Sequence, residues 1–124
     1  MVALRMQLSG SLTHGLFVRS SKQWKQAFTV ADCHERTIFS VDWSKQGDFL
    51  VTGAADNGIR VFQGRPAGDV SSFDLAVFQK EAHASDINCV RWNPQLQEEG
   101  GKKSLLLASA SDDAVVRIWK FNFP

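Results

Sequence analysis

His34-Glu-Arg-Thr-Ile-Phe-Ser-Val-Asp-Trp43 and His83-Ala-Ser-Asp-Ile-Asn-Cys-Val-Arg-Trp92 are two versions of one segment. Each sets a His nine residues before a Trp, and Ile38 and Val41 of the first fall on Ile87 and Val90 of the second. The likeness resumes further on. Phe49-Leu-Val-Thr-Gly-Ala-Ala-Asp-Asn-Gly-Ile-Arg-Val-Phe62 runs in step with Leu106-Leu-Ala-Ser-Ala-Ser-Asp-Asp-Ala-Val-Val-Arg-Ile-Trp119. Thr52 falls on Ser109, Asp56 on Asp113, Arg60 on Arg117 and Phe62 on Trp119. One insertion within residues 96–104 reconciles the two halves, and its Gln-Glu-Glu-Gly-Gly-Lys-Lys run reads as an exposed loop. An ordered pattern that recurs with one gap, placed in a loop, is an internal repeat, and a repeat constrains the fold more than local propensity does.

Each copy reads as strands. Ile38-Phe-Ser-Val-Asp-Trp43, Phe49-Leu-Val-Thr52 and Ile59-Arg-Val-Phe62 are short and rich in β-branched and aromatic residues. Turn signals at Lys45-Gln-Gly-Asp48 and Asp56-Asn-Gly58 separate them, since Asn and Gly tolerate positive φ. Residues 87–92, 105–109 and 115–119 predict the same three strands in the second copy. A fourth strand is predicted ahead of each His, at residues 25–30 and 73–78. Four short strands in a meander make one propeller blade. The predicted organisation is therefore all-β, in three pieces. Residues 1–22 are an N-terminal segment that the repeat does not place. Residues 23–63 are one unit, made of the outer strand of a preceding blade and three strands of the next. Residues 64–124 are a second unit built the same way, its last blade lacking an outer strand.

Composition narrows the function. Fourteen Lys+Arg against 13 Asp+Glu leave a formal charge of +1, without the basic surplus of a dedicated nucleic-acid binder. A hydrophobic share of 44% is too high for a disordered chain. Two distant cysteines, Cys33 and Cys89, are too few for a disulfide framework or a four-thiolate metal site, and they read as small buried thiols. The first 18 residues are interrupted by Arg5, Gln7, Ser9, Gly10, Ser11 and Thr13, unlike a signal peptide. No run approaches the ~20 apolar residues of a membrane span. The expectation is an intracellular protein that binds neither nucleic acid nor membrane.

The residues aligned above carry a resemblance to the WD40 β-propeller family. In that family's pattern a His precedes the first strand, a Ser or Thr sits on the second, an Asp occupies the following turn and a Trp closes the third. His83, Ser109, Asp113 and Trp119 match it in the second unit; His34, Thr52, Asp56 and Phe62 stand there in the first. The signature dipeptides depart from the pattern: Cys33-His34 and Ala82-His83 replace Gly-His, while Phe62-Gln63 and Trp119-Lys120 replace Trp-Asp. The matching residues imply a buried hydrogen-bonded chain of indole, hydroxyl, imidazole and carboxylate. Phe62 has no N–H, so the first network should lack its indole end and that blade should be the weaker.

Arg36-Thr-Ile-Phe-Ser-Val-Asp-Trp43, Asp56-Asn-Gly-Ile-Arg-Val-Phe62, Ala82-His-Ala-Ser-Asp-Ile-Asn-Cys-Val-Arg-Trp-Asn-Pro94 and Leu106-Leu-Ala-Ser-Ala-Ser-Asp-Asp113 carry a narrower resemblance. They are similar to the last two blades of the WD40 scaffolds of the cytosolic iron–sulfur protein assembly machinery. The resemblance implies a scaffold without a cofactor of its own. Its partners would be the other subunits of the iron–sulfur targeting complex and apoprotein clients, in the cytoplasm and also the nucleus. A WD40 adaptor of another multiprotein complex is the alternative. Arg36, Asp86 and Asp112, the charged residues of the same loop end outside the network, are the candidate partner contacts.

Other chemistries fit less well. Ser109, His83 and Asp113 are the residue types of a hydrolase triad, but Thr52, His34 and Asp56 repeat them and no Gly-x-Ser-x-Gly elbow occurs. A set copied in each unit is expected to be structural. His14, His34 and His83 stand singly, without the spacing of metal ligands. Asp112-Asp113 is better explained by an Asp paired to His than by a cation. Gly100-Gly101-Lys102-Lys103 lacks the spacing of a phosphate loop. Trp43 and Trp92 end the first strand of each unit and are core candidates, whereas Trp24 has no counterpart. Finally, propellers have roughly four to eight blades and single repeats cannot bury their own faces. The expectation is an incomplete propeller with open edges, a fragment or a piece closed by a partner, in which Leu16-Phe-Val18 is one candidate to fill an edge.

Overall fold

Strands form where the repeat sets β-branched and aromatic residues between turns. The computed structural model describes residues 2–11, 15–64 and 72–124, with side chains from residue 22 onward. β1 (Val2–Ser11) and β2 (Gly15–Trp24) form an antiparallel pair. β3 (Ile38–Trp43), β4 (Phe49–Ala54), β5 (Ile59–Gly64) and β6 (Phe73–Gln79) form a four-stranded antiparallel sheet in the order of the chain. The second sheet holds β7 (Ile87–Trp92), β8 (Gln97–Glu99), β9 (Lys102–Ser111) and β10 (Val116–Phe123). Its path is β10-β9-β7, with β8 on the same central strand. Each sheet is a blade, and the arrangement is the unclosed all-β propeller segment that the repeat implies.

The two blades share local geometry as well as sequence. The first strand of each carries a register shift at the same place, Ile38/Ser40 and Ile87/Cys89. Asn57 and Ala114, at one position of the tight turn, both have positive φ (61° and 63°). Asp32 and Glu81, two residues before each His, do so as well (52° and 51°). Left-handed backbone is costly for residues with a Cβ, so its recurrence at matched positions reflects one backbone built twice.

Three expectations are corrected. Residues 25–30 form no strand and join no ladder. A strand needs a neighbour for its N–H and C=O groups, and the strand that would precede this one is not among the described residues. The loop within residues 96–104 is a hairpin: β8 pairs β9 across Gly100 and Gly101, both at positive φ (57° and 76°) as a tight hairpin turn requires, although its tip is exposed. Leu16-Phe-Val18 fills no blade edge, because β2 pairs along its length with β1.

The core lies between the blades. Phe49, Val51, Ile59 and Val61 of the first sheet pack against Ile87, Val90 and Trp92 of the second, with Leu105 and Leu107 behind. Phe121 and Phe123 of β10 close the cluster on Phe49, with ring centroids 5.0 and 4.8 Å away. Gly53 lets the sheets approach: a Cβ there would lie 2.6 Å from Ile87 Cγ2 and 2.9 Å from Val90 Cγ1.

Each blade has a second apolar face, and the repeat supplies an internal control on it. Ile87, Val90 and Trp92 are 0%, 0% and 7% exposed, whereas their counterparts Ile38, Val41 and Trp43 are 45%, 54% and 47% exposed. On the opposite side Ile59 and Val61 are buried, and their counterparts Val116 and Ile118 are exposed. Trp43 is therefore half exposed, not a core residue like Trp92. Its position within the unit is the same, but among the described residues only the second blade has a blade packed over that face. Burial of one such side chain contributes roughly 1.5–3 kcal/mol. Ile87→Ala is accordingly expected to cost about 2–5 kcal/mol of unfolding free energy, and Ile38→Ala well under half of that. Paired urea denaturation curves check the difference, and equal losses would contradict the assignment of the faces.

Candidate functional site

The loop before the first strand of each blade meets the turn between its second and third strands, and the matched polar residues lie at this junction. In the second blade His83 Nδ1 is 2.9 Å from Asp113 Oδ2, and His83 Nε2 is 2.7 Å from Ser109 Oγ. Trp119 Nε1–H donates to the same Oγ at 2.8 Å. A neutral imidazole satisfies every partner: indole donates to hydroxyl, hydroxyl to Nε2, and Nδ1–H to the carboxylate. Asp113 also accepts from the backbone N–H groups of Ala84 (3.0 Å) and Val115 (2.9 Å). Burial opposes ionisation of this carboxylate, but the Ala84 N–H, the His83 ring and the Val115 N–H outweigh it and hold the pKa at about 2.

In the first blade His34 Nδ1 lies 3.0 Å from Asp56 Oδ2, and Nε2 is 2.6 Å from Thr52 Oγ1. Phe62 stands buried at the indole position, so Thr52 receives no indole hydrogen bond. A residue not singled out from the sequence joins instead. Arg60 Nη1 is 2.9 Å from Asp56 Oδ2 and 2.5 Å from His34 Nδ1. That ring nitrogen serves one neighbour at a time, donating to Asp56 when protonated and accepting from Arg60 when not. The guanidinium also lies over the Phe78 ring at 3.9 Å. The aligned Arg117 takes a different partner, the carbonyl of Ala82. Burial pushes the His34 pKa down; the hydrogen bond to Asp56 opposes it, the Arg60 charge adds to it, and the net shift is downward. For Asp56 burial pushes upward, but the His34 ring, Arg60 and the Gly58 N–H prevail and lower it.

Two further side chains escaped sequence reasoning. Ser40 Oγ accepts from the Val90 N–H at 3.1 Å, and Asp42 Oδ2 from the Trp92 N–H at 2.7 Å. These contacts cross from one blade to the other and satisfy amides on the open edge of β7. The available signal was two polar residues alternating with apolar ones in the β3 strand.

The candidate contact residues occupy the same end. Arg36 is exposed and donates to the Ala55 carbonyl at 3.1 Å. Asp112 is exposed and accepts from Asn88 Nδ2 at 2.6 Å. Asp86 is half-buried, and its carbonyl accepts from the Asp112 N–H at 3.1 Å. Between the blades at this end lies a cleft of about 370 Å³ bordered by Asn57, Glu81, His83, Ala84 and Arg117. Ser109 does not open onto solvent: it is 1% exposed and its oxygen already takes the indole proton. Among the described residues no three His, Cys, Asp or Glu side chains converge as a metal site would require, and no helix is long and apolar enough to cross a membrane.

Two blades of this construction, each stapled through a His–Asp pair, define a WD40 repeat protein. The family model for the WD domain, G-beta repeat, matches residues 24–63 and 75–120, and the chain belongs to that family. Among curated proteins it is similar to the human "Probable cytosolic iron-sulfur protein assembly protein CIAO1", with 39% identity over 107 residues, 85% of this chain and 30% of the relative. The rat protein of the same name is 38% identical over 107 residues, again 85% of this chain and 30% of the relative. "Protein CIA1" of Arabidopsis thaliana is 39% identical over 99 residues, 78% of this chain and 26% of the relative. The chain thus spans about 30% of the length of the curated relatives it matches.

Trp119→Phe is expected to cost about 1 kcal/mol, the net worth of one hydrogen bond. Ser109→Ala should cost more, since it strands both the indole N–H and the imidazole; urea midpoints of the two variants give the ranking. These shifted pKa values also imply a pH dependence. The Asp113 carboxyl has a folded pKa of about 2 against an ordinary 3.8, so its contribution is complete above about pH 4 and is lost as pH falls towards 2. His34 acts in the same sense at higher pH, because a lowered imidazole pKa favours the neutral folded form above about 6.5 and is a liability below it. The urea midpoint should fall on acidification, and Asp113→Asn should flatten the lower part of that fall.

Proposed function

We propose that the chain is a non-catalytic WD40 scaffold segment of the cytosolic iron–sulfur protein assembly machinery. In this role it holds protein partners together for insertion of iron–sulfur clusters into cytosolic and nuclear apoproteins. The observation that carries the reading is the extent of the relatives' likeness, which runs across both blades instead of a single motif. The residue-level likeness supports it too, since Ala82-His-Ala-Ser-Asp-Ile-Asn-Cys-Val-Arg-Trp-Asn-Pro94 supplies the turn, the network His and the first strand of the second blade. Residues 23–63 and 64–124 act as successive units.

The geometry favours binding over catalysis. Both His–Asp pairs are consumed in tying a loop to a turn, and the Ser109 oxygen is sealed. A nucleophile needs access and a nearby oxyanion site. The exposed loop end instead presents Arg36 and Asp112, each held by a hydrogen bond of its own, and such loops are a common basis for protein recognition. Arg36, Asp86 and Asp112 are the proposed contacts, and the chain holds no cofactor of its own. The location is the cytoplasm and, for nuclear clients, the nucleus.

The test is affinity capture of the tagged chain from cells of its own source, with mass spectrometry and a full-length relative as control. Recovery of the other iron–sulfur targeting subunits, reduced by Arg36→Glu or Asp112→Lys, is expected. Recovery of a different assembly in their place would overturn the reading in favour of another WD40 adaptor.

A further inference from the structure

Asn57-Gly58 is the only Asn-Gly pair in the sequence. It sits in the tight turn between β4 and β5. The second blade has Ala114-Val115 there, on the same backbone, with φ 61° at Asn57 and 63° at Ala114. Asparagine is among the chemically labile residues. When glycine follows it, the next main-chain nitrogen can reach the side-chain carbonyl carbon with no side chain in the way. This turn leaves little room for anything but glycine. A Cβ at residue 58 would lie 3.0 Å from Phe78 Cε2 and 3.2 Å from Asp56 Oδ1. Asn57 is half-buried and borders the cleft at the loop end, so water reaches its amide.

The polar network of the first blade touches this pair at the reacting atom. Gly58 N–H donates to Asp56 Oδ1 at 3.1 Å. The other carboxylate oxygen, Oδ2, is held by His34 Nδ1 at 3.0 Å and by Arg60 Nη1 at 2.9 Å. Asp56 therefore cannot turn away from Gly58 without giving up both of those contacts. Attack by the Gly58 nitrogen requires it to lose its proton. The carboxylate opposes that step twice, since its hydrogen bond is lost and a second negative charge forms beside the first. Burial works against ionisation of Asp56, but the His34 ring, Arg60 and the Gly58 N–H prevail and keep its pKa low, so it is also a poor base for that proton.

We propose that Asn57 is a self-modification site, a deamidation that the Asp56 carboxylate restrains while His34 and Arg60 hold it in place. The Gly58 nitrogen passes its proton to solvent hydroxide and bonds to Asn57 Cγ. The Cγ–Nδ2 bond breaks, and the amide nitrogen leaves as ammonia with a proton taken from water. Water then opens the resulting imide ring at either carbonyl. One product is aspartate. The other is isoaspartate, in which the main chain runs through Cβ and the former main-chain carbonyl becomes a free carboxylate. That carbonyl is the acceptor for the His83 N–H at 3.3 Å, a backbone contact from the turn of the first blade to the loop that enters the second. The isoaspartyl form takes this acceptor out of the main chain and adds a negative charge to the cleft that Glu81 already borders. The modification is irreversible and proceeds when Asp56 releases Gly58, so it records how often the first network opens.

Peptide mapping by mass spectrometry of the full chain, held at mildly alkaline pH, tests this. Conversion of Asn57 to aspartate and isoaspartate is followed in buffer and in guanidinium chloride. Asn88, Asn93 and Asn122, none followed by glycine, are internal controls. The unfolded chain should convert at Asn57, and the folded chain roughly tenfold or more slowly, the factor that a hydrogen bond to a charged group supports. Asp56→Ala, if still folded by its far-ultraviolet spectrum, should close most of that gap. An unreactive Asn57 in the unfolded chain would overturn the site. Equal rates in the folded and unfolded chain, or a folded Asp56→Ala as slow as the parent, would overturn the restraint by Asp56. If Asp56→Ala loses its fold, Asp56→Glu, which keeps the charge and displaces the oxygens, repeats the comparison. In the isoaspartyl chain the His83 amide should exchange with deuterium faster than in fresh protein, and unchanged protection would overturn the link to the second blade.

Discussion

A propeller blade has two apolar faces and can cover neither alone. Among the described residues the two blades cover each other at one contact, and the rest of their structure depends on it. There Gly53 withholds a side chain so that Ile87 and Val90 can sit against β4, and Phe121 and Phe123 fold onto Phe49 from the far strand. Ser40 and Asp42 satisfy the β7 amides from across the gap. Sheet hydrogen bonds alone would give two separate ribbons; the apolar contact makes them one body.

The polar networks act at a different level. They fix where a loop enters a blade, not whether the blades stay together. In the second blade a single proton-donor chain runs from Trp119 through Ser109 and His83 to Asp113. In the first the chain is shorter at one end and gains a cation at the other, because Phe62 brings no donor and Arg60 turns inward. Both carboxylates are held ionised by an imidazole and by backbone N–H groups, and that of the first blade adds a guanidinium.

Most of the strand pattern was legible in the sequence, since alternating β-branched residues between turn signals depend only on local chemistry. Ile38–Trp43 and Ile87–Trp92 fall where the pattern put them. What failed depended on neighbours. Residues 25–30 have the composition of a strand but no ladder to join, and Trp43 has the position of Trp92 without a blade above it. The His, Asp and hydroxyl groups of each blade, aligned through the family resemblance, lie within hydrogen-bonding distance of one another. The role of Arg60 did not show, because Arg117 is aligned with it and goes elsewhere; sequence identity fixed the residue and left the side chain's partner to packing.

The interface between the two described blades has a consequence for how they open. Among the described residues the two blades share one contact, and release of either uncovers the face that the other buries in it. Amides of β4, β5 and β9, which lie inside the sheets over this contact, should therefore exchange with solvent slowest and at a common rate, and those of β3 and β10 should exchange earlier. The most protected part of the chain is then neither blade but the seam between them.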